Sequence, residues 1–177
     1  MWHAGCRGGV NILSLACGHL REVGSCKSLT NGCIDNLYAI DHDPKTIEVV
    51  EQNAAGTRVK PILGSVKDVF KGTLDLKPCD FTYGAGLYDY LNDDVASRLT
   101  KKLFDLTKPG GTVLVANFLP GNTCIGYMEA CMDWWLINRD ENQMLELLGD
   151  IPEEEIESAR TFTEENNNIV FLEITKR

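Results

Sequence analysis

The sequence predicts an α/β fold: a parallel sheet with helices on both faces, closed by an antiparallel hairpin. Three observations carry that prediction. Strand-like and helix-like patterns alternate from residue 11 to about residue 116, the arrangement produced when parallel strands are joined by helical crossovers. The apolar run 11–15 breaks at Gly18 into a helical stretch, as the first strand of a nucleotide-binding sheet does. The end of the chain changes pattern, since Thr161-Phe162-Thr163, a polar stretch at 164–168 and the alternating run 169–175 look like two antiparallel strands and their turn.

The elements follow in order. The first strand runs into Ala16-Cys17-Gly18-His19-Leu20-Arg21-Glu22, and a second apolar strand, 36–41, ends in the carboxylate of Asp41. Asp43 followed by Pro44 makes an N-cap and first-position pair, and Ile47, Val50 and Ala54 share one face of the helix that Gly56 closes. A third strand over 59–63 leads into Gly64-Ser65-Val66. The turn Lys77-Pro78-Cys79-Asp80 delivers a fourth strand, Phe81-Thr82-Tyr83, which ends in Gly84-Ala85-Gly86, residues small enough to let a ligand approach the backbone. Asn92 or Asp93 starts a long helix with the stripe Val95, Leu99, Leu103 and Leu106, Pro109-Gly110-Gly111 stops it, and 112–116 is a buried fifth strand.

From 117 to about 150 the alternation lapses into one or two helices. Met128, Cys131, Met132 and Trp135 fall on one face, and a second helical pattern covers 140–148. Two readings of this insertion stand side by side: a cover over the ligand, or plain core packing. The acidic run 152–157 reads as a solvated helix face.

Composition bounds the class. The chain has 177 residues with 44% hydrophobic content, so a single domain over residues 1–177 is expected, large enough to bury a full core. Its seven cysteines lack C-x-x-C or paired Cys/His spacing; they predict reduced, mostly buried thiols of a cytoplasmic protein, with no metal site. A net charge of −9 opposes binding of a polyanion, because phosphate contacts need clustered Lys and Arg. No nucleic-acid partner is therefore expected. Leu13-Ser14-Leu15-Ala16-Cys17 has the look of a lipoprotein cleavage site, but the apolar stretch before it is too short for a signal segment, and no run reaches membrane-spanning length.

The first turn points to a ligand. A dinucleotide pyrophosphate needs several glycines so that the backbone can come close; this turn has one, Gly18. S-adenosylmethionine carries no phosphate and tolerates side chains there, so a methyl donor is the expected cofactor. Asp41, at the strand-end position where ligands bind, is expected on the ribose hydroxyls, with helix capping as the alternative; Ser65 and the Val66 backbone either meet an adenine edge or cap the next helix.

On these residues the chain resembles the class I S-adenosylmethionine-dependent methyltransferases, which implies a Rossmann-like three-layer sheet of five parallel strands plus a C-terminal antiparallel hairpin. The first strand and glycine turn, the acidic end of the second strand and Lys108-Pro109-Gly110-Gly111 occur in the family's order. The family's three alternating glycines correspond to Ala16, Gly18 and Leu20, and its preceding acid to Ser14, so only the middle glycine is kept. A narrower likeness, over Leu15-Ala16-Cys17-Gly18 with Arg21-Glu22, Gly86-Leu87-Tyr88-Asp89-Tyr90-Leu91, Asn117-Phe118 and Asp133-Trp134-Trp135-Leu136 with Arg139-Asp140, is to bacterial methyltransferases that make 3-hydroxypalmitic acid methyl ester. By that resemblance the relatives carry more chain ahead of the first strand, and this chain is expected to be a shortened or minimal form.

The resemblance implies a cofactor set of Ala16, Cys17, Gly18, Arg21, Asp41, His42, Ser65, Val66, Gly84 and Ala85. It implies a small-molecule or lipid acid as acceptor, since no Asn-Pro-Pro-Tyr-like run of the amine methylases follows the fourth strand. A carboxylate is already a nucleophile and needs only a cation or hydroxyls to orient it, whereas a hydroxyl or amine would need a base. Tyr88, Tyr90 and Arg139 are expected to face the acceptor, with packing as the alternative for the tyrosines. His19 is a candidate base or a solvated loop residue, and Arg21 contacts the ligand or pairs with Glu22. A non-catalytic cofactor-binding domain and an NAD-dependent oxidoreductase are the other function classes.

Overall fold

The computed structural model describes residues 9–123 and 125–177. Seven strands form one sheet in the order β3-β2-β1-β4-β5-β7-β6. β1 (Val10–Leu15), β2 (Ile34–Asp41), β3 (Val59–Leu63), β4 (Cys79–Gly84) and β5 (Thr107–Phe118) pair in parallel, while β7 (Ile169–Lys176) runs antiparallel to both β5 and β6 (Ile156–Thr163). The hairpin thus folds back so that its second strand, not its first, lies antiparallel beside β5 and leaves β6 at the sheet edge. Each face of the sheet covers its own apolar cluster. One gathers Leu13, Leu15, Val69, Leu99, Leu103, Phe104, Val113, Val115, Leu172 and Ile174; the other gathers Leu20, Leu29, Leu37, Val50 and Val59.

Local chemistry explains the helices. α1 (Lys27–Thr30) is four residues long. α2 (Pro44–Asn53) starts where the Asp43 carboxylate accepts the Lys45 N–H at 3.1 Å, and it buries Ile47 and Val50. α3 (Val66–Lys71) follows Gly64-Ser65. α4 (Asp93–Leu106) is capped by Asn92, whose Oδ1 accepts the Val95 N–H at 3.0 Å, and two acids in its first turn favour the helix dipole. α5 (Ile125–Met132) and α6 (Glu141–Glu146) form the insertion after β5. Asp140 caps α6 by accepting the Gln143 N–H while the Gln143 side chain returns a bond to the Asp140 N–H, both at 2.9 Å.

Several sequence expectations are corrected. The segment after Gly18 is a 3-10 turn, Arg21–Ser25, followed by α1, instead of one helix; Gly24-Ser25 interrupts it and Asn31-Gly32 ends it, all poor helix formers. The buried face of α4 is Ala96, Leu99, Thr100, Leu103 and Phe104, rotated from the predicted stripe, so Val95 and Leu106 are only half-buried. β5 begins at Thr107, five residues before the predicted strand at Thr112, and its register with β4 shifts between Cys79 and Phe81. Lys108-Pro109-Gly110-Gly111 is therefore a bulge inside a strand. Met128 is buried at 9% exposure, but Met132 and Trp135 are 53% and 67% exposed and Trp135 lies beyond the end of α5, so the expected single face does not form. The acidic run gives a three-residue 3-10 turn at Glu153–Glu155 that passes directly into β6; Pro152 and three adjacent like charges leave too little to propagate a helix.

Cys33 is disulfide-bonded, which overturns the expectation that every cysteine is a reduced thiol. Cys17, Cys26, Cys79 and Cys131 are free, and Cys6 and Cys124 lie outside the described residues. Since structural disulfides are rare in the cytosol, the cysteines no longer argue for that compartment. Among the described residues no helix is long and apolar enough to cross a membrane.

The bulge yields a test. A Cβ on Gly111 would lie 2.7 Å from Thr107 Cγ2 and 2.9 Å from the carbonyl oxygens of Asp80 and Lys108. Two of these neighbours are backbone and cannot yield. Gly111→Ala should lower stability by about 2–3 kcal/mol, the usual scale of overpacking, and urea denaturation measures it.

Candidate functional site

The carboxyl ends of β1, β2 and β4 converge on the turn after β1. Its backbone takes positive φ at alternate residues: 54° at Ala16, 52° at Gly18 and 50° at Leu20. The turn thus takes left-handed backbone at two residues that carry side chains, Ala16 and Leu20. Each non-glycine residue in this left-handed region costs about 1 kcal/mol, and surrounding bonds hold it there. Cys17 N–H donates to the Ile40 carbonyl at 3.0 Å, and Leu20 N–H to the Cys17 carbonyl at 3.1 Å.

Asp41 is the main clasp. Its Oδ2 accepts the Gly18 N–H at 3.0 Å and its Oδ1 the Asp43 N–H at 3.0 Å, while its carbonyl takes the Gly64 N–H at 2.9 Å. One buried residue therefore ties the ends of β1, β2 and β3 together, its carboxylate holding the turn after β1 and its backbone carbonyl the end of β3. His42 Nδ1 lies 3.4 Å from Asp41 Oδ1 with its side chain 81% exposed.

Beside this clasp lies a cavity of about 400 Å³ lined by Leu15, Ala16, Asp41, His42, Gly64, Ser65, Val66, Lys67 and Leu87. Of the predicted cofactor residues, Ala16, Asp41, His42, Ser65 and Val66 stand on its wall. Cys17, Gly18, Arg21, Gly84 and Ala85 do not. Leu15, Gly64, Lys67 and Leu87 were missed, although Gly64 stands in the quoted Gly64-Ser65-Val66 turn and Leu87 in the quoted Gly86-Leu87-Tyr88 run. A larger cleft of about 480 Å³, lined by Asp93, Asp94, Arg98, Glu146 and Asp150 among others, shares no wall residue with it.

The remaining predicted residues divide sharply. Ser65 gives both its N–H (2.8 Å) and its hydroxyl (2.5 Å) to Asp68, so its donors serve the start of α3. The Cys17 thiol donates to the Gly18 carbonyl at 3.3 Å and is pushed up to about 12 by burial and by the Asp41 charge, which leaves it protonated at neutral pH. His19 and Arg21 are exposed. Glu22, the partner considered for Arg21, accepts instead from the Tyr83 hydroxyl at 2.7 Å, pinning the 3-10 turn to β4.

Tyr88 and Arg139 do not face an acceptor. Tyr88 is fully buried, its hydroxyl 3.0 Å from Thr100 Oγ1, and burial raises its pKa above the ordinary tyrosine value. Arg139 is 1% exposed and spends all five N–H donors. Nε and Nη2 bond Asp93 Oδ1 at 3.0 and 2.7 Å, Nη1 bonds the Tyr88 carbonyl and Asn117 Oδ1 at 2.9 and 2.8 Å, and Nη2 bonds the Leu91 carbonyl at 2.6 Å. It is a strut joining the end of β5, the start of α4 and the turn after β4.

Tyr90 is 54% exposed and accepts a hydrogen bond from Trp134 Nε1. Asp89, between the two tyrosines, is 4% exposed; its Oδ1 accepts the Phe118 N–H at 2.7 Å, and burial raises its pKa above the usual carboxylate range.

Ala16 provides a second test. Glycine adopts φ near +54° without penalty, so Ala16→Gly should raise stability by about 0.5–1 kcal/mol, read as an increase in melting temperature. An unchanged or lower melting temperature would show that the turn is unstrained.

No protein-family model and no curated protein matches the sequence. Solved structures do share the fold. A "possible exported protein" of Bordetella parapertussis is 16% identical, with a TM-score of 0.76 over 97% of this chain and 62% of that one. Human N-acetylserotonin methyltransferase, in complex with S-adenosylmethionine, is 17% identical, with a TM-score of 0.69 over 94% of this chain and 47% of that one. Magnesium protoporphyrin IX methyltransferase of Synechocystis, with S-adenosylmethionine bound, is 16% identical, with a TM-score of 0.63 over 96% and 71% of the two chains. This chain spans less than two thirds of the first two. At these identities what is shared is the mixed seven-stranded architecture.

Proposed function

We propose that this chain is an S-adenosylmethionine-dependent methyltransferase domain that acts on an oxygen atom of a small or lipid molecule. The observation that carries the reading is the cavity at the carboxyl edge of the sheet, with Asp41 on its wall beside the turn of three positive-φ residues. Each Asp41 oxygen accepts one backbone N–H and keeps a lone pair, so the pair can still receive two ribose hydroxyls. The Val66 backbone and the side chains of Leu15 and Leu87 suit an adenine ring, and the Ala16–Gly18 turn suits the amino-acid end of the donor. Bound there, the donor supplies a sulfonium methyl, and the protein's task is to hold the acceptor oxygen in line with it.

A dinucleotide fits this turn less well, because Ala16, on the cavity wall, puts a side chain where a pyrophosphate needs bare backbone. Structural neighbours that carry S-adenosylmethionine on the same architecture support the choice of donor. The expectation of a carboxylate acceptor loses its anchor, since Arg139, the cation assigned to hold it, has no donor left. A binding-only domain is the second reading, favoured by the four-residue α1 where a full helix was predicted.

Titration calorimetry with S-adenosylmethionine, S-adenosylhomocysteine and NAD tests the assignment. The two sulfur compounds should bind and NAD should not; the reverse order would assign the cavity to a dinucleotide. Donor binding with no methyl release to any oxygen acceptor would favour the second reading.

A further inference from the structure

The sheet has two edges, β3 and β6, and they are finished differently. β3 carries Lys60 and Pro61, a charge and a residue without an N–H, two features that keep a further strand from pairing. β6 carries neither from Ser158 to Thr163, where it pairs with β7 without interruption; its register shift lies before Ser158. Among the described residues nothing but β7 hydrogen-bonds to the backbone of this stretch, so the N–H and C=O groups that point away from β7 meet no protein partner. One face of the same stretch is aromatic: Phe162 is 37% exposed and stacks on Phe171 with ring centroids 5.1 Å apart. Its one charge, Arg160, gives Nε to Glu173 Oε1 at 2.8 Å, and the guanidinium lies 5.4 Å from the centre of the Phe162 ring.

We propose that β6 pairs with β6 of a second copy of this chain, antiparallel about a two-fold axis at Thr161. Such a contact must be self-complementary, and the residues of the strand select the register. Centred on Thr161, that residue faces its own counterpart, Arg160 faces Phe162 of the second copy, and Ala159 faces Thr163, so no like charges are opposed. Centred on Arg160, two guanidinium groups would stand opposite each other. Centred on Ala159, the pairing would draw in Glu157, where the ladder with β7 shifts register. Arg160 and Phe162 are two residues apart and share a face, so each copy offers a cation to the other's ring. The two Phe162 rings become diagonal neighbours about 7–8 Å apart, close enough for aromatic contact, and the Phe162–Phe171 stacks of the two copies join in one row. A net charge of −9 opposes self-association, but the paired stretch holds only Arg160, already neutralised by Glu173. A contact of one strand pair is small, which makes the expected dimer reversible.

Sedimentation velocity on the full chain, from about 5 to 200 μM, tests the pairing; half of the protein should be dimeric somewhere between about 10 and 100 μM. Phe162→Lys, at an exposed position, sets a like charge against Arg160 at both ends of the contact and should weaken the dimer at least about tenfold. Thr161→Cys checks the register without relying on that variant. It brings two thiols together across the axis, within reach of a disulfide, whereas Ser158→Cys keeps them far apart. Under mild oxidation Thr161→Cys should give at least about fivefold more covalent dimer than Ser158→Cys or than the parent, whose exposed Cys131 sets the background. A parent chain that stays monomeric over the whole range would overturn the proposal and leave the edge to a strand of a different protein. Dimerisation unchanged in Phe162→Lys, or cross-linking no higher at residue 161 than at residue 158, would overturn it equally.

Discussion

Arg139→Ala should lower folding stability by about 3–5 kcal/mol, the largest loss expected from any single substitution outside the central strands. Removing the guanidinium strands the Tyr88 and Leu91 carbonyls and Asn117 Oδ1, acceptors joined through that one side chain. A buried acceptor left unpaired costs about 1–3 kcal/mol. The ion pair adds little to this sum. Asp93 has its side chain 85% exposed, so deletion leaves no stranded buried charge, and pairs with one solvated partner are individually weak. Arg139→Lys should recover only part of the loss, because a single ammonium cannot reproduce a planar fork of five donors. Urea denaturation gives the difference directly. A loss below about 1 kcal/mol would mean that water replaces the strut and that Arg139 is free to serve a ligand after all.

The second large effect belongs to Asp41→Ala, which should abolish measurable donor binding and destabilise the fold by about 2–4 kcal/mol at once. Two backbone N–H groups, those of Gly18 and Asp43, lose their acceptor, and the strained turn loses the bond that holds Gly18 in place. Charge-assisted bonds to the ribose hydroxyls account for about 1.5–3 kcal/mol of affinity by themselves, roughly a 10- to 150-fold change. Asp41→Asn separates the two roles. Its single carbonyl oxygen can satisfy one N–H but not both, so it should fold less stably than the parent and bind S-adenosylmethionine more weakly. A variant that loses stability but binds unchanged would confine Asp41 to the clasp.

The strand pattern was legible because β2 and β5 carry runs of apolar residues of the kind a sheet buried on both faces requires, and because Asp43-Pro44 marks a helix start by local chemistry alone. The clasp at Asp41 was half legible. Its place at the end of a strand was readable, but the bond to Gly18 joins residues from different strands, and nothing in the spacing of the two announces it. The turn itself was hidden by side-chain identity: Ala16 and Leu20 signal right-handed or extended backbone, and tertiary bonds override that preference. Leu20 is rewarded by burial at 5% exposure in the apolar cluster beside β2.

Tyr88, Asp89 and Tyr90 show why the acceptor side was harder to read. They follow one another in a 3-10 turn, where successive side chains point in different directions; Tyr88 goes into the core, Asp89 under Phe118 and Tyr90 out to solvent. Composition cannot sort them. Arg139 was misplaced for the same reason, since its partners at residues 88, 91, 93 and 117 come together only once the sheet has formed.

The central claim is that the cavity beside Asp41 receives an adenosyl group through its sugar. A crystal grown or soaked with S-adenosylhomocysteine tests it most directly: the ribose hydroxyls should lie within about 3 Å of the two Asp41 oxygens, with the base between Leu15, Val66 and Leu87. Density for the nucleoside at any other surface, or an Asp41 carboxylate still bonded only to Gly18 and Asp43 with the cavity empty, would contradict the account.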